Sequence, residues 1–174
     1  MSLLSLKDKI GFPEDWKIEP IGKILLSSQY GTSQGGSESG VPVIGMKNLR
    51  DGKVDFKDLS FVSLDENEKD KLLLKDGDIL LNRTNSYDLV GKVGFVEKAI
   101  EAVFASYLVR LEVDKSKADS KFVAMWLSGF WADQMIKKIA TRAISQANVN
   151  PTEFKKFCLV RIGFSIKNFF VNTS

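Results

Sequence analysis

The chain has 174 residues, 44% hydrophobic and 27% charged, with a formal net charge of +3. That length suits one domain with a proper core, and the mildly basic balance permits an anionic partner without requiring one. With no His and one Cys, Cys158, an intrachain disulfide, a Cys/His zinc site and any Ser–His or Cys–His nucleophile pair are excluded.

No apolar run approaches the roughly 20 residues of a membrane span. No secretory leader opens the chain, so a cytoplasmic address is expected. Residues 1–12 read as a loosely held arm. Phe12–Ile18 enters the fold, with Trp16 as an anchor, and Ile21–Ser28 is a short apolar helix or strand. The following Ser27–Gly40 is rich in Ser, Gly and Gln. It is either a plain surface loop or a polar contact loop read through Tyr30 and Gln34. It has no glycine pattern for cradling a nucleotide phosphate.

Val41–Ile44 is a strand, and Met46, Lys47 and Asn48 follow it. Asp51-Gly52 is a turn that pairs Val54–Phe56 back as a hairpin. Ser63 and Glu66 form a capping box that starts a short helix to about Leu73. After the Asp76-Gly77 turn come two apolar runs, Ile79–Leu81 and Val90–Val96. Between them lies Asn82-Arg83-Thr84-Asn85-Ser86-Tyr87. All six are hydrogen-bonders or cations that cannot be buried without partners. Such a cluster held between two strands suits a recognition loop.

Ala102–Leu111 is a strand with Val103, Ala105, Tyr107, Val109 and Leu111 on one side. Asp119 or Ser120 caps one long helix to about Ala140. Its stripe of Phe122, Val123, Trp126, Leu127, Phe130, Trp131, Met135, Ile136 and Ile139 is assigned to the core. Thr141–Asn150 is polar again. Asn150-Pro151 caps a further short helix, Leu159–Ile162 is a last strand, and residues 163–174 show no clear period. The class expected is α+β, a twisted, partly closed mixed sheet flanked by one long and several short helices. The main domain runs over 13–162, with 163–174 as a tail.

A nuclease site could be sought in Asp133 with Glu153 and Lys155, but both acids fall on predicted helices rather than at a sheet edge. The Gly-rich loop and the Asn/Asp-Pro-Pro-aromatic motif of a methyltransferase are absent from the sequence. The residues therefore argue for a binding module with no cofactor of its own.

Four polar clusters punctuate the chain. They supply the candidate contacts: Gln29, Tyr30, Thr32, Ser33 and Gln34; Lys47 and Asn48; Arg83, Thr84, Asn85, Ser86, Tyr87 and Lys92; and Arg142, Gln146 and Asn148. Arg and Lys suit guanine edges and Asn and Gln suit adenine, while hydroxyls and Lys suit phosphate oxygens. The competing reading of each cluster taken singly is loop capping and turn chemistry.

These pieces resemble, in order, a target recognition domain of the specificity subunit of type I restriction–modification systems. They are Trp16 with Ile21–Ile24, the loop Ser28–Ser33, Gly40–Asn48, Gly77–Leu80, Arg83–Ser86 with Val90–Lys92, Phe104–Arg110 and Ala143–Pro151. The resemblance covers about residues 13–162 and implies a non-catalytic domain that binds double-stranded DNA and reads one half of a two-part target. The implied partners are methyltransferase subunits and, through them, restriction subunits, and a homodimer is also open to such a chain. The alternative is a protein-interaction or remnant domain without independent DNA reading. The chain departs from the family in showing one domain and no helix after Ile162, as in a truncated gene product or a fragment.

Overall fold

The computed structural model describes residues 17–142, 146–156 and 158–161. The expected arm over 1–12, the Trp16 anchor and the tail over 163–174 lie outside the described residues. The strands are β1 (Lys17–Pro20), β2 (Leu25–Tyr30), β3 (Val41–Ile44), β4 (Leu49–Arg50), β5 (Gly52–Val54) and β6 (Ser60–Val62). After helix α1 (Glu66–Leu72) come β7 (Ile79–Asn82), β8 (Thr84–Asn85), β9 (Val93–Phe95), β10 (Val103–Phe104) and β11 (Leu108–Val113). Helices α2 (Ser120–Leu127) and α3 (Phe130–Ile139) precede β12 (Thr141–Arg142), β13 (Ala147–Asn148), α4 (Pro151–Lys155) and β14 (Cys158–Arg161). Two 3₁₀ turns, Ile21–Lys23 and Met46–Asn48, follow β1 and β3.

The central sheet has the order β2-β11-β7-β9-β5-β4. Successive side chains of a strand face opposite ways. Ile79, Leu81, Val109 and Leu111 therefore enter one core, shared with Val123, Leu127, Ile136 and Phe154 of the helices. Leu80 and Leu108 enter a second core on the other face, with Ile44, Val62, Leu72 and Phe104. Covering both faces is why all four residues of β7 are buried. Each fully buried Leu or Ile contributes about 1.5–3 kcal/mol. The second face is closed by a sheet of order β10-β3-β6 and by α1. Two small sheets complete the fold, β12-β13-β8 and β1-β14.

The α+β class holds, with three local differences. The cap of α1 is Asp65, not Ser63, because its carboxylate accepts from the Glu68 N–H at 2.8 Å. The expected strand 102–111 is interrupted at Ala105–Tyr107, where the Leu108 N–H turns back to the Ala105 carbonyl at 2.9 Å. Tyr107 is therefore exposed rather than on a buried face. The single helix over 119–140 is two helices. Gly129 is extended and heads the second, and the Ser128 hydroxyl donates back to the Ala124 carbonyl at 2.8 Å. The break turns Phe130 and Trp131 outward, 70% and 61% exposed, so neither belongs to the core.

Gly91 shows one place where no side chain is allowed. Its φ is +88°, and a Cβ there would lie 2.8 Å from Ile136 Cγ2. Backbone and helix therefore meet directly below the Asn82–Tyr87 segment.

Candidate functional site

The side chain that gathers the site is Arg83, between β7 and β8. Its backbone is tied on both sides. The N–H donates to the Tyr107 carbonyl at 3.0 Å, and the carbonyl accepts from the Val149 N–H at 2.8 Å. Its guanidinium carbon lies 4.7 Å from the centre of the Tyr30 ring, a cation–π distance. Nε donates to the Ser106 carbonyl at 3.3 Å, and Nη1 to Asn148 Oδ1 at 3.4 Å. Among the described residues Arg83 forms no ion pair.

Strand pairing explains why these residues meet. Tyr30 ends β2 opposite Val109, and Leu81 pairs Val109 from the other side. Tyr30 and Arg83 thus leave the sheet at the same end. Asn148 pairs with Thr84 and Ala147 with Asn85, which brings a hairpin more than 60 residues downstream onto β8. The Ser106 N–H donates to the Thr32 carbonyl at 2.7 Å, joining the end of β2 to the β10–β11 turn. This junction is close. A Cβ on Gly31 would overlap the Phe104 carbonyl oxygen.

Three of the four polar clusters therefore converge at one end of the molecule. Tyr30, Ser33, Gln34, Ser86, Gln146 and Asn148 are exposed there, and Arg83 and Asn85 are half-buried. Tyr107, exposed beside Arg83, joins them. Sequence reasoning placed it within a strand, although the Ala-Ser-Tyr break in an apolar run was a visible signal. The Arg142 backbone lies in β12, opposite Ala147.

Several expected contact residues serve the scaffold instead. Asn48 is buried. Its Oδ1 accepts from the Gly45 N–H, and its Nδ2 donates to the carbonyls of Asp55 and Lys57, each at 3.0 Å. Thr32 is buried, and its hydroxyl accepts from the Gln34 N–H at 3.1 Å. Thr84 is buried as well. Gln29 is half-buried and holds Arg110. Tyr87 packs against the helix-side core. Asn85 Oδ1 accepts from the Ser86 N–H at 2.8 Å, a turn bond within its own loop. Lys47 is exposed at the end of β3, whose parallel partner β10 runs into Ala105. Lys92 lines a separate groove of about 340 Å³ with Leu49, Ser128, Phe130 and Asp133. The acids considered for a nuclease sit in ion pairs on separate helices, Asp133 with Lys137 on α3 and Glu153 of α4 with Lys156.

A second arginine sits deeper in the sheet. Arg110 is 7% exposed and donates to the carbonyls of Leu73 and Lys71 at 2.7 and 2.9 Å, and to Gln29 Oε1. It lies 3.6 Å from Asp78 and 5.4 Å from the centre of the Phe104 ring. Burial raises the Asp78 carboxyl above its ordinary range, against the pull of the Lys75 backbone N–H and of Arg110.

Chemically, the exposed end offers a fixed guanidinium, amide groups and aromatic rings without a carboxylate paired to the guanidinium. Such a surface suits a planar partner with acceptor atoms on its edge. Among the described residues no helix is long and apolar enough to cross a membrane.

No family model matches the chain. Two curated relatives do. It is 30% identical over 154 residues to a Methanocaldococcus jannaschii protein assigned as the specificity subunit of the type I restriction enzyme MjaX, covering 86% of this chain and 36% of that protein. It is 37% identical over 78 residues to the EcoKI specificity subunit of Escherichia coli K12, covering 43% of this chain and 17% of that protein. The solved S subunit of a type I restriction–modification system from M. genitalium shares the fold, with a TM-score of 0.60 and 13% identity, over 87% of this chain and 36% of that one. The fold is thus that of part of a type I S subunit. The chain itself is homologous to type I restriction enzyme specificity subunits and spans about a third of their length.

Proposed function

We propose that this chain is a module that binds double-stranded DNA and reads one half of a two-part target for a type I restriction–modification complex. The observation that carries the reading is the convergence of Tyr30, Arg83 and Asn148 from three distant segments onto one exposed end. Exposed Gln34, Gln146 and Tyr107 lie on the same segments. The homology supports the same reading. In it the chain does no chemistry itself. Methyltransferase subunits, and restriction subunits through them, are its partners in the cytoplasm, with a homodimer supplying the second half-site where no second domain does. Residues 13–162 form the recognition domain, flanked by the 1–12 arm and the 163–174 tail.

The test is selection of bound duplexes from a random pool, by the chain alone and with candidate methyltransferase subunits. A short motif should be enriched, and its affinity should fall as salt rises. A pool with no enrichment under either condition would refute the proposal. The second reading, a protein-interaction domain, is favoured by the outward Phe130 and Trp131 with exposed Met125 nearby. It predicts salt-insensitive binding to a subunit and no binding to DNA at low salt.

A further inference from the structure

We infer that Arg83 is a pre-oriented guanine reader, held end-on to a base edge by Tyr30, Ser106 and Asn148; this rests on the DNA reading above. Arginine has five N–H donors in a rigid plane. The Ser106 carbonyl takes the Nε donor and Asn148 Oδ1 takes one on Nη1. The Tyr30 ring lies against the guanidinium. Three constraints on one planar group fix its position and tilt. Three donors remain, one on Nη1 and both on Nη2, and one from each nitrogen supplies a parallel pair. Both bonds are long, at 3.3 and 3.4 Å, and go to neutral oxygens. Neither neutralises the charge, in contrast to the Arg110 pair with Asp78.

Two parallel donors match two parallel acceptors. Guanine presents O6 and N7 side by side in the major groove, and no other base shows two adjacent acceptors there. A phosphate also accepts two donors from an arginine fork, but such a contact carries no base identity, so a preference for one base at the Arg83 position separates the two. Asn148 and Tyr30 act as positioning residues. They set the angle of the fork without touching the base.

The experiment is the duplex selection repeated with Arg83→Lys and Asn148→Ala, followed by affinity measurement on the enriched site carrying 7-deazaguanine. The wild-type motif should contain one guanine that is preferred over other bases by roughly 5- to 150-fold. Arg83→Lys keeps the charge but should lose most of that preference at this one position, with an unchanged salt slope. Asn148→Ala should broaden the same position and no other. Replacing that guanine by 7-deazaguanine, which lacks the N7 acceptor, should weaken wild-type binding several-fold and leave Arg83→Lys nearly indifferent; this arm needs no altered fold. A motif whose Arg83-sensitive position is not guanine overturns the inference while leaving DNA recognition standing. So does full retention of the guanine preference by Arg83→Lys. Enrichment of no motif at all removes the DNA reading itself.

Discussion

Among the described residues two arginines stack on aromatic rings, and they are opposites. Arg110 rests over Phe104 inside the fold, with three oxygen acceptors and a carboxylate around it. Arg83 rests over Tyr30 at the surface, with two long bonds to neutral oxygens. Arg110 closes the space between β11, β7 and the end of α1. Arg83 holds three segments together yet keeps donors for something else. The difference lies in charge pairing and burial. A buried guanidinium beside a carboxylate is structural, even with its Nε left unpartnered, whereas a half-buried one with no carboxylate on it keeps donors for a ligand.

The sharpest break in this comparison is Arg110→Met. Removing one partner of a buried pair leaves Asp78 uncompensated, so a loss of about 3–5 kcal/mol in urea unfolding is expected. Retention of wild-type stability would show that Arg110 is not structural. Arg83→Ala should reverse the pattern. Its unfolding free energy should change by about 1 kcal/mol or less, while affinity for the preferred duplex falls by roughly 1–3 kcal/mol. Equal losses on preferred and random duplex would reduce Arg83 to a phosphate contact.

Asp78→Asn sharpens the comparison through pH. Because burial raises the Asp78 carboxyl, the folded state holds its proton more tightly than the unfolded chain does. Its contribution is fully present below the ordinary value of about 3.9 and is lost as pH rises through the raised one. Stability of the wild type should therefore gain from this group as pH falls towards about 4, and the variant should lack that gain. Asp114 runs the other way. Its bonds to Ser116 and Lys117 hold its carboxyl below the usual range, so its contribution is lost only at lower pH. Unfolding curves across both windows separate the two. The smallest expected effect is that of Tyr30→Leu, about 0.5–1 kcal/mol from the exposed cation–π contact. Its clearer readout is a looser base preference at the Arg83 position.

Much of this was legible in the chain. The apolar run Ile79–Leu81 announced the central strand, and Asn150-Pro151 announced the last helix, whose Asn150 side chain accepts from the Thr152 N–H. The break at Ser128-Gly129 was legible too, but the aromatic spacing across it suggested continuity. Helical spacing records which residues could share a face, not whether the backbone continues. Asn48 and Gln29 read as contact residues because composition cannot separate an amide that meets solvent from one that closes a turn or clamps an arginine. The Arg83 cluster lay beyond local reading for a different reason. Its members come together only through pairings between β2, β11, β7, β8 and β13, and no local pattern encodes which strands will be neighbours.

The tight crossing at Gly31 has a practical consequence. Because the backbones of β2 and the β10–β11 turn touch there, nothing bulkier fits, and the crossing behaves as a rivet. Residues 33–39 beyond it are exposed, so their exchange leaves the rivet untouched. If the module reads DNA as proposed, new target preferences can be grafted into that span with the frame beneath kept unchanged, whereas altering Gly31 would disable every graft at once.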